Sequence, residues 1–251
     1  MTIVLLTALG VGGATLIGSL FGFAFKRISH RFSDYVLAFA AGIMLCAAVF
    51  GLIMPSVEYG NDLSVFVTVA GIFCGAAILN LLDKLVPHLH RVSGDDIESH
   101  SANTEKLNKV ILFVTAIAIH NLPEGIAAGV GFGTGNTGEA LTIAFGIALQ
   151  NIPEGMVIIA PMLAAGISKK RTLIAACVTG VVEVLGTFIG YFAVSLSDAV
   201  LPFALAFAGG TMLYVISDEM IPETHHGEAH GVTYSLLAGF CLMLIVDCFL
   251  G

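Results

Sequence analysis

Eight stretches of about 20 apolar residues make up most of this chain and constrain its fold more than any other feature. They cover residues 3–25, 35–57, 63–85, 108–132, 139–165, 172–195, 199–221 and 233–250. A helix of about 20 residues crosses the hydrocarbon core of a bilayer, and backbone groups in lipid must be satisfied internally. Because the stretches lack the two-residue alternation of membrane strands, they predict an all-α integral membrane protein with eight transmembrane helices.

The composition excludes an ordinary soluble protein. Of the 251 residues, 57% are hydrophobic and only 11% are charged, too few to coat a soluble particle of this size. A formal net charge of −8 argues against binding to nucleic acid. The five cysteines form no CxxC pair, so neither a disulfide framework nor a thiolate zinc site is expected. Little chain remains outside the spans, which predicts a single polytopic transmembrane domain over residues 1–251.

The basic residues give this domain an orientation. All ten fall on one side of an alternating eight-span path, which the positive-inside rule makes cytoplasmic. They are Lys26, Arg27, Arg31, Lys84, Arg91, Lys106, Lys109, Lys169, Lys170 and Arg171. Both termini are therefore predicted to be extracytoplasmic.

Two internal repeats run through the chain. The sequence LAFAAGIML at 37–45 in span two matches LAFAGGTML at 205–213 in span seven at seven of nine positions. An odd number of crossings separates them, so they run in opposite directions, as in the inverted repeats of secondary transporters. The alternative is two small-residue packing helices that look alike by convergence. A second pair, HNLPEG at 120–125 and QNIPEG at 150–155, shares Asn, Pro, Glu and Gly and makes spans four and five central.

Seven polar residues within the spans are candidate metal ligands. Ionisable groups are expensive in lipid, and residues four apart share one face of a helix. The candidates are His120, Asn121, Glu124, Gln150, Asn151, Glu154 and Glu183. Nitrogen and oxygen donors without thiolate suit zinc and its first-row neighbours, and three carboxylates could balance much of the charge of two close divalent ions. The alternative is a polar network that only holds the helices together.

The pair HNxPEG and QNxPEG, 30 residues apart, with Glu183 in span six, resembles the ZIP family of divalent metal transporters over essentially the whole chain. The resemblance implies a binuclear site at mid-membrane. One metal would bind to His120, Glu124, Gln150 and Glu154, and the other to Asn121, Glu124, Asn151, Glu154 and Glu183. Many members have His at the position of Gln150. The compact chain looks like the prokaryotic branch, which implies a bacterial inner membrane, and the family suggests a homodimer.

Further polar residues lie on the predicted cytoplasmic side. The resemblance draws attention to Asp218 and Glu219, near the inner end of span seven, as candidate exit ligands. The loop that follows adds His225 and His226 as candidates of the same kind. The longest loop, 86–107, contains histidines and acidic residues and is predicted to be flexible.

These observations predict a transporter that moves divalent metal into the cytoplasm, with zinc as the first choice and cadmium, iron(II) and manganese as others. Metal is the transported substrate, and no cofactor or covalent chemistry is expected. An efflux antiporter using the same ligands is one alternative, because ligand chemistry does not encode direction. A membrane-embedded zinc hydrolase is the other. It is weakened because only His120 lies deep in a span and the motifs HExxH, GxGD and GxSxG are absent.

Overall fold

A computed structural model describes residues 1–24, 29–59, 64–85, 102–164, 166–225 and 230–250, and this part of the chain is helical without any strand. The α-helices are α1 (Thr2–Ala24), α2 (His30–Cys46), α3 (Met54–Glu58), α4 (Ser64–Leu85), α5 (Ala102–Val130), α6 (Thr137–Ala164), α7 (Lys169–Ser195), α8 (Leu201–Val215), α9 (Ile221–Thr224) and α10 (His230–Leu250). Two π-helical segments, Ala47–Ile53 and Ile216–Met220, join α2 to α3 and α8 to α9. Short 3-10 turns cover Gly131–Thr134 and Asp198–Val200.

Seven helical segments of the described residues are long and apolar enough to cross a membrane. They are Thr2–Ala24, Arg31–Glu58, Ser64–Leu82, Thr137–Ile159, Lys169–Ser195, Leu201–Thr224 and Gly231–Leu250. The remaining predicted span, 108–132, corresponds to α5, which is not among these seven. Helix α5 begins at Ala102, so residues 102–107 of the loop predicted at 86–107 are helical. Residues 86–101 lie outside the described residues.

Prolines follow closely on both π-helical segments. Proline lacks a backbone N–H and its ring crowds the carbonyl four residues earlier, so a regular α-helical pattern is interrupted there. Before Pro55, the Met54 N–H donates to the Val49 carbonyl, and before Pro222 the Ile221 N–H donates to the Ile216 carbonyl. These five-residue steps are π-type bonds that keep the backbone satisfied. Each long helix therefore continues past its proline with a local irregularity.

The helices pack in four parallel pairs, α1 with α6, α5 with α7, α4 with α8, and α2 with α10. Glycines allow the backbones to touch in each pair. A Cβ at Gly42 of α2 would collide with the Leu236 carbonyl of α10, and one at Gly210 of α8 would collide with the Ile72 carbonyl of α4. Gly42 and Gly210 are equivalent positions of the two LAF repeats.

The same correspondence extends to the helices around the polar centre. A Cβ at Gly18 of α1 would collide with the Ile152 carbonyl of α6, and one at Gly186 of α7 would clash with the Leu122 carbonyl of α5. The two glycines are 168 residues apart, like Gly42 and Gly210. Gly12 and Gly180, separated by the same interval, contact each other backbone to backbone where α1 crosses α7. The packing thus relates α1 to α7 and α2 to α8 in the same register.

Candidate metal centre

The HNLPEG segment of α5 and the QNIPEG segment of α6 bring three potential ligands together. His120 and Glu124 lie one turn apart on α5, and His120 Nε2 is 3.7 Å from Oε1 of Glu124 and 3.7 Å from Oε1 of Glu154 on α6. One ligand atom from each of these residues lies within 4.8 Å of the others. Because Glu124 and Glu154 are buried, their charges need a cation close by. This geometry fits one divalent metal.

Several buried oxygen atoms at this centre have no hydrogen-bond partner among the described residues. They are both carboxylate oxygens of Glu124, Oε1 of Gln150, Oε1 of Glu154 and Oε2 of Glu183. Buried polar atoms are normally paired, and an unpaired one costs about 1–3 kcal/mol or more when it is charged. Several such oxygens at one place are expected at a site that binds a cation. Oxygen and imidazole donors are also the ligand types of zinc and its neighbours.

A short chain of hydrogen bonds links Gln150 and Asn151 of α6 to α1. Its Nε2 donates to Oδ1 of Asn151 at 2.7 Å, and Nδ2 of Asn151 donates to the Val11 carbonyl of α1 at 3.4 Å. A backbone carbonyl can only accept, so this end of the chain sets the direction of both bonds. Nε2 of Gln150 and Oδ1 of Asn151 are therefore engaged with each other, and Oε1 of Gln150 is buried without a hydrogen-bond partner among the described residues.

The seventh candidate, Glu183 on α7, is fully buried and contacts Asn121 of α5. Its Oε1 accepts hydrogen bonds from Nδ2 of Asn121 and, at 2.8 Å, from the hydroxyl of Thr15 on α1. Sequence reasoning missed Thr15. The signal was present, because Thr15 and Glu183 are 168 residues apart, the interval that separates the two LAF repeats.

The candidate exit residues differ in their relation to this centre. Oε2 of Glu219 lies 3.5 Å from Nδ1 of His120, so the π-helical segment Ile216–Met220 reaches the polar cluster. Side-chain exposure rises from 0% at Glu124 to 15% at His120 and 33% at Glu219, and Asp218 is exposed. His225 instead bonds locally to the Ile221 carbonyl and the Thr224 hydroxyl. His226 lies outside the described residues.

Comparison with known proteins identifies the family of the chain. A sequence model described as ZIP zinc transporter matches residues 93–247. The chain is 39% identical to zinc transporter GufA of Myxococcus xanthus, over 98% of both chains. It is 36% identical to zinc transporter ZIPB of Bordetella bronchiseptica, over 95% of this chain and 78% of that protein, and 29% identical to human zinc transporter ZIP11, over 95% and 94%.

The chain belongs to the ZIP family. The family is one of zinc transporters and not of enzymes. A zinc transporter acts within a membrane, and the apolar helices described above make this chain a multi-pass membrane protein.

In this ZIP chain a buried apolar core joins α6 to the first π-helical segment and to α10. Ile143 and Ile147 of α6, Leu52 of the first π-helical segment and Met243 of α10 are buried in one core. Ile143 fills the space beside Gly51, where a Cβ would lie 2.8 Å from its Cγ1.

At the end of α3, the Tyr59 hydroxyl donates to the Thr134 carbonyl at 3.2 Å and to Glu139 at 3.4 Å. Partial burial and the nearby Glu139 carboxylate raise the pKa of Tyr59, which therefore stays protonated as a donor at neutral pH.

Proposed function

We propose that the chain carries divalent metal across the membrane into the cytoplasm, with zinc as its principal substrate and cadmium, iron(II) and manganese as further ones. The observation that carries the proposal is the convergence of half-buried His120 with buried Glu124 and Glu154 within 4.8 Å. Membership of a zinc transporter family and the zinc transporter names of its relatives support the substrate. The hydrolase alternative has no support from this family.

We further propose that the centre binds two metal ions. His120, Glu124, Gln150 and Glu154 form the first position. Asn121, Glu124, Glu154 and Glu183 form the second, in which Asn151 takes part only after releasing the amide of Gln150. The buried oxygen of Gln150 and the carboxylate oxygens, none of which has a hydrogen-bond partner among the described residues, support this arrangement. Because Glu124 and Glu154 are shared by both positions, losing either one affects both ions.

We propose that the chain crosses the membrane eight times and that these crossings form an inverted repeat. Helices α5 and α6 lie at its centre, and both termini lie outside. The equal interval of 168 residues between Gly12 and Gly180, Gly18 and Gly186, and Thr15 and Glu183 supports the repeat. The ten basic residues support the orientation. The protein is proposed to act as a homodimer in a bacterial inner membrane.

Release towards the cytoplasm is proposed to run past Glu219 and Asp218, with His225 and His226 further out. The contact between Glu219 and His120 supports the first step, because one side chain can leave a metal while the other still holds it. The exposure of Asp218 supports the second. His225 would first have to leave its local hydrogen bonds.

Metal uptake into proteoliposomes of known orientation tests this function. Zinc, cadmium, iron(II) and manganese are compared in the wild type and in Glu124→Gln and Glu154→Gln. Each substitution removes a charge from both metal positions, so uptake at low metal concentration should fall at least about tenfold, which corresponds to roughly 1.4 kcal/mol. Glu58→Gln makes the same charge change at an exposed position and should retain uptake.

Full uptake by either central variant would contradict the shared site. Transport only in the outward direction would support the antiporter instead.

A further inference from the structure

Helix α1 supplies none of the proposed metal ligands, yet one of its side chains touches a ligand directly. Thr15 is a buried residue, 2% exposed, and its hydroxyl donates to Oε1 of Glu183 at 2.8 Å. The backbone of Thr15 packs closely against α6, because a Cβ at Gly155 would collide with the Thr15 carbonyl oxygen. Thr15 therefore lies between Gly155 of α6 and the Glu183 carboxylate of α7.

The two oxygens of the Glu183 carboxylate have different surroundings. Oε1 accepts two hydrogen bonds, one from Thr15 and one from Nδ2 of Asn121. Oε2 is buried and has no hydrogen-bond partner among the described residues. An ionised carboxylate has about two acceptor positions on each oxygen. Both positions of Oε1 are thus occupied, and only Oε2 is available to a metal.

We propose that Thr15 is a positioning residue that limits Glu183 to one metal-binding oxygen and thereby favours zinc over manganese. The proposal rests on the metal centre proposed above and assigns a specificity role to a helix without ligands. Asn121 has a related role, because its Nδ2 donates to the same oxygen of Glu183.

The two metals respond differently to an additional oxygen ligand. Zinc in proteins is commonly four-coordinate, and its site gains little from a second oxygen of the same carboxylate. Manganese prefers six ligands that are largely oxygen. Removing the Thr15 hydroxyl opens one acceptor position on Oε1 and allows Glu183 to bind through both oxygens. That change helps manganese more than zinc.

Equilibrium binding to the purified protein in detergent tests the proposal. Manganese binding is followed by the electron paramagnetic resonance signal of the free ion, and zinc binding by displacement of manganese. The variant Thr15→Val removes the hydroxyl with little change in side-chain volume, and Thr15→Ala removes it with a smaller side chain. If one of these two variants does not fold, the other is sufficient for the test. Thr15→Ser retains the hydroxyl.

Thr211→Val is the matched control. Thr211 is also 2% exposed, but within the described part of the chain its hydroxyl bonds only to the Ala208 carbonyl of its own helix, at 2.7 Å. We expect the preference for zinc, taken as the ratio of the two dissociation constants, to fall about fivefold or more in Thr15→Val and Thr15→Ala. A hydrogen bond to a charged group is strong enough for an effect of this size. Thr15→Ser and Thr211→Val should keep the wild-type ratio.

An unchanged ratio in both hydroxyl-free variants would overturn the proposal. Equal weakening of zinc and manganese would also overturn it, because a purely structural loss does not discriminate between metals. Metal binding without uptake by the wild type would count against the proposed transport alone and leave the ratio measurable. A changed ratio that Thr15→Ser does not restore would contradict a role for the hydroxyl.

Discussion

At the scale of single residues, the chemistry of the centre was predictable and its hydrogen-bond directions were not. Glutamate and histidine within apolar spans are conspicuous because their burial is costly. The direction of the Gln150 amide depends on the Val11 carbonyl, a backbone group on another helix that no side-chain pattern reveals. Thr15 was missed for a similar reason, since a threonine in an apolar helix is common. Only its partner, Glu183, makes it notable.

Gln150 replaces the histidine of the first motif, and this difference predicts a change in metal preference. Imidazole is a better zinc ligand than an amide oxygen, so Gln150→His should tighten zinc binding, by about fivefold for a gain of roughly 1 kcal/mol. The apparent KM for zinc should fall, the range of metals should narrow, and maximal turnover should slow because the ion leaves less readily. Competition among zinc, cadmium and manganese during uptake measures these effects.

A histidine at this position also loses the Nε2 bond to Asn151, so Asn151→Ala is the appropriate comparison. That variant removes the partner and retains Gln150. Unchanged zinc affinity and unchanged metal ranking in Gln150→His would show that residue 150 does not bind the metal.

At the scale of helices, hydropathy predicted where the elements are but not their irregularities. Pro123 and Pro153 lie beside the candidate ligands, and a proline inside a helix is expected to kink or break it. Helices α5 and α6 continue in α-helical form through both prolines. The π-helical segments occur near Pro55 and Pro222 instead. The difference depends on how neighbouring helices accommodate each freed carbonyl, which is a tertiary effect.

Close helix contact at Gly18 predicts a stability difference between two glycines of α1. A methyl group at Gly18 would overlap the Ile152 carbonyl, so Gly18→Ala should destabilise the protein by about 2 kcal/mol. Gly10 has no neighbouring atom within 4 Å, and Gly10→Ala should be neutral or slightly stabilising because alanine favours the helix. Thermal unfolding in detergent compares the two variants. Equal unfolding temperatures would contradict the described α1–α6 contact.

At the scale of the whole molecule, the all-helical architecture followed from eight apolar stretches, because a bilayer permits few alternatives. The observed helices agree with the predicted spans to within a few residues at most ends. The main exception is α5, whose polar first turns carry no hydropathy signal. The pairing of α1 with α6 and of α5 with α7 was not predictable from one chain, since it depends on glycine contacts between distant segments.

The orientation of the whole molecule is testable by labelling. With the five native cysteines replaced, we expect a cysteine at Ser99 to be protected from an impermeant thiol reagent in sealed cells. A cysteine at Ser197, on the opposite side of the predicted topology, should react. The expectation follows from the basic residues beside the inner loops. Reaction at position 99 without permeabilisation would contradict the proposed topology.

The two π-helical segments are alike in place but not in charge, and the difference has a thermodynamic consequence. The first, Ala47–Ile53, is wholly apolar, whereas the second carries Asp218 and Glu219. The carboxylates of the second segment can speed metal binding and release on one side of the membrane. Detailed balance nevertheless forbids this asymmetry from driving net transport. Net movement must draw on an electrochemical gradient. For a translocation that carries two positive charges inward, an inside-negative potential of 100 mV supplies about 4.6 kcal/mol, enough to sustain accumulation of more than a thousandfold.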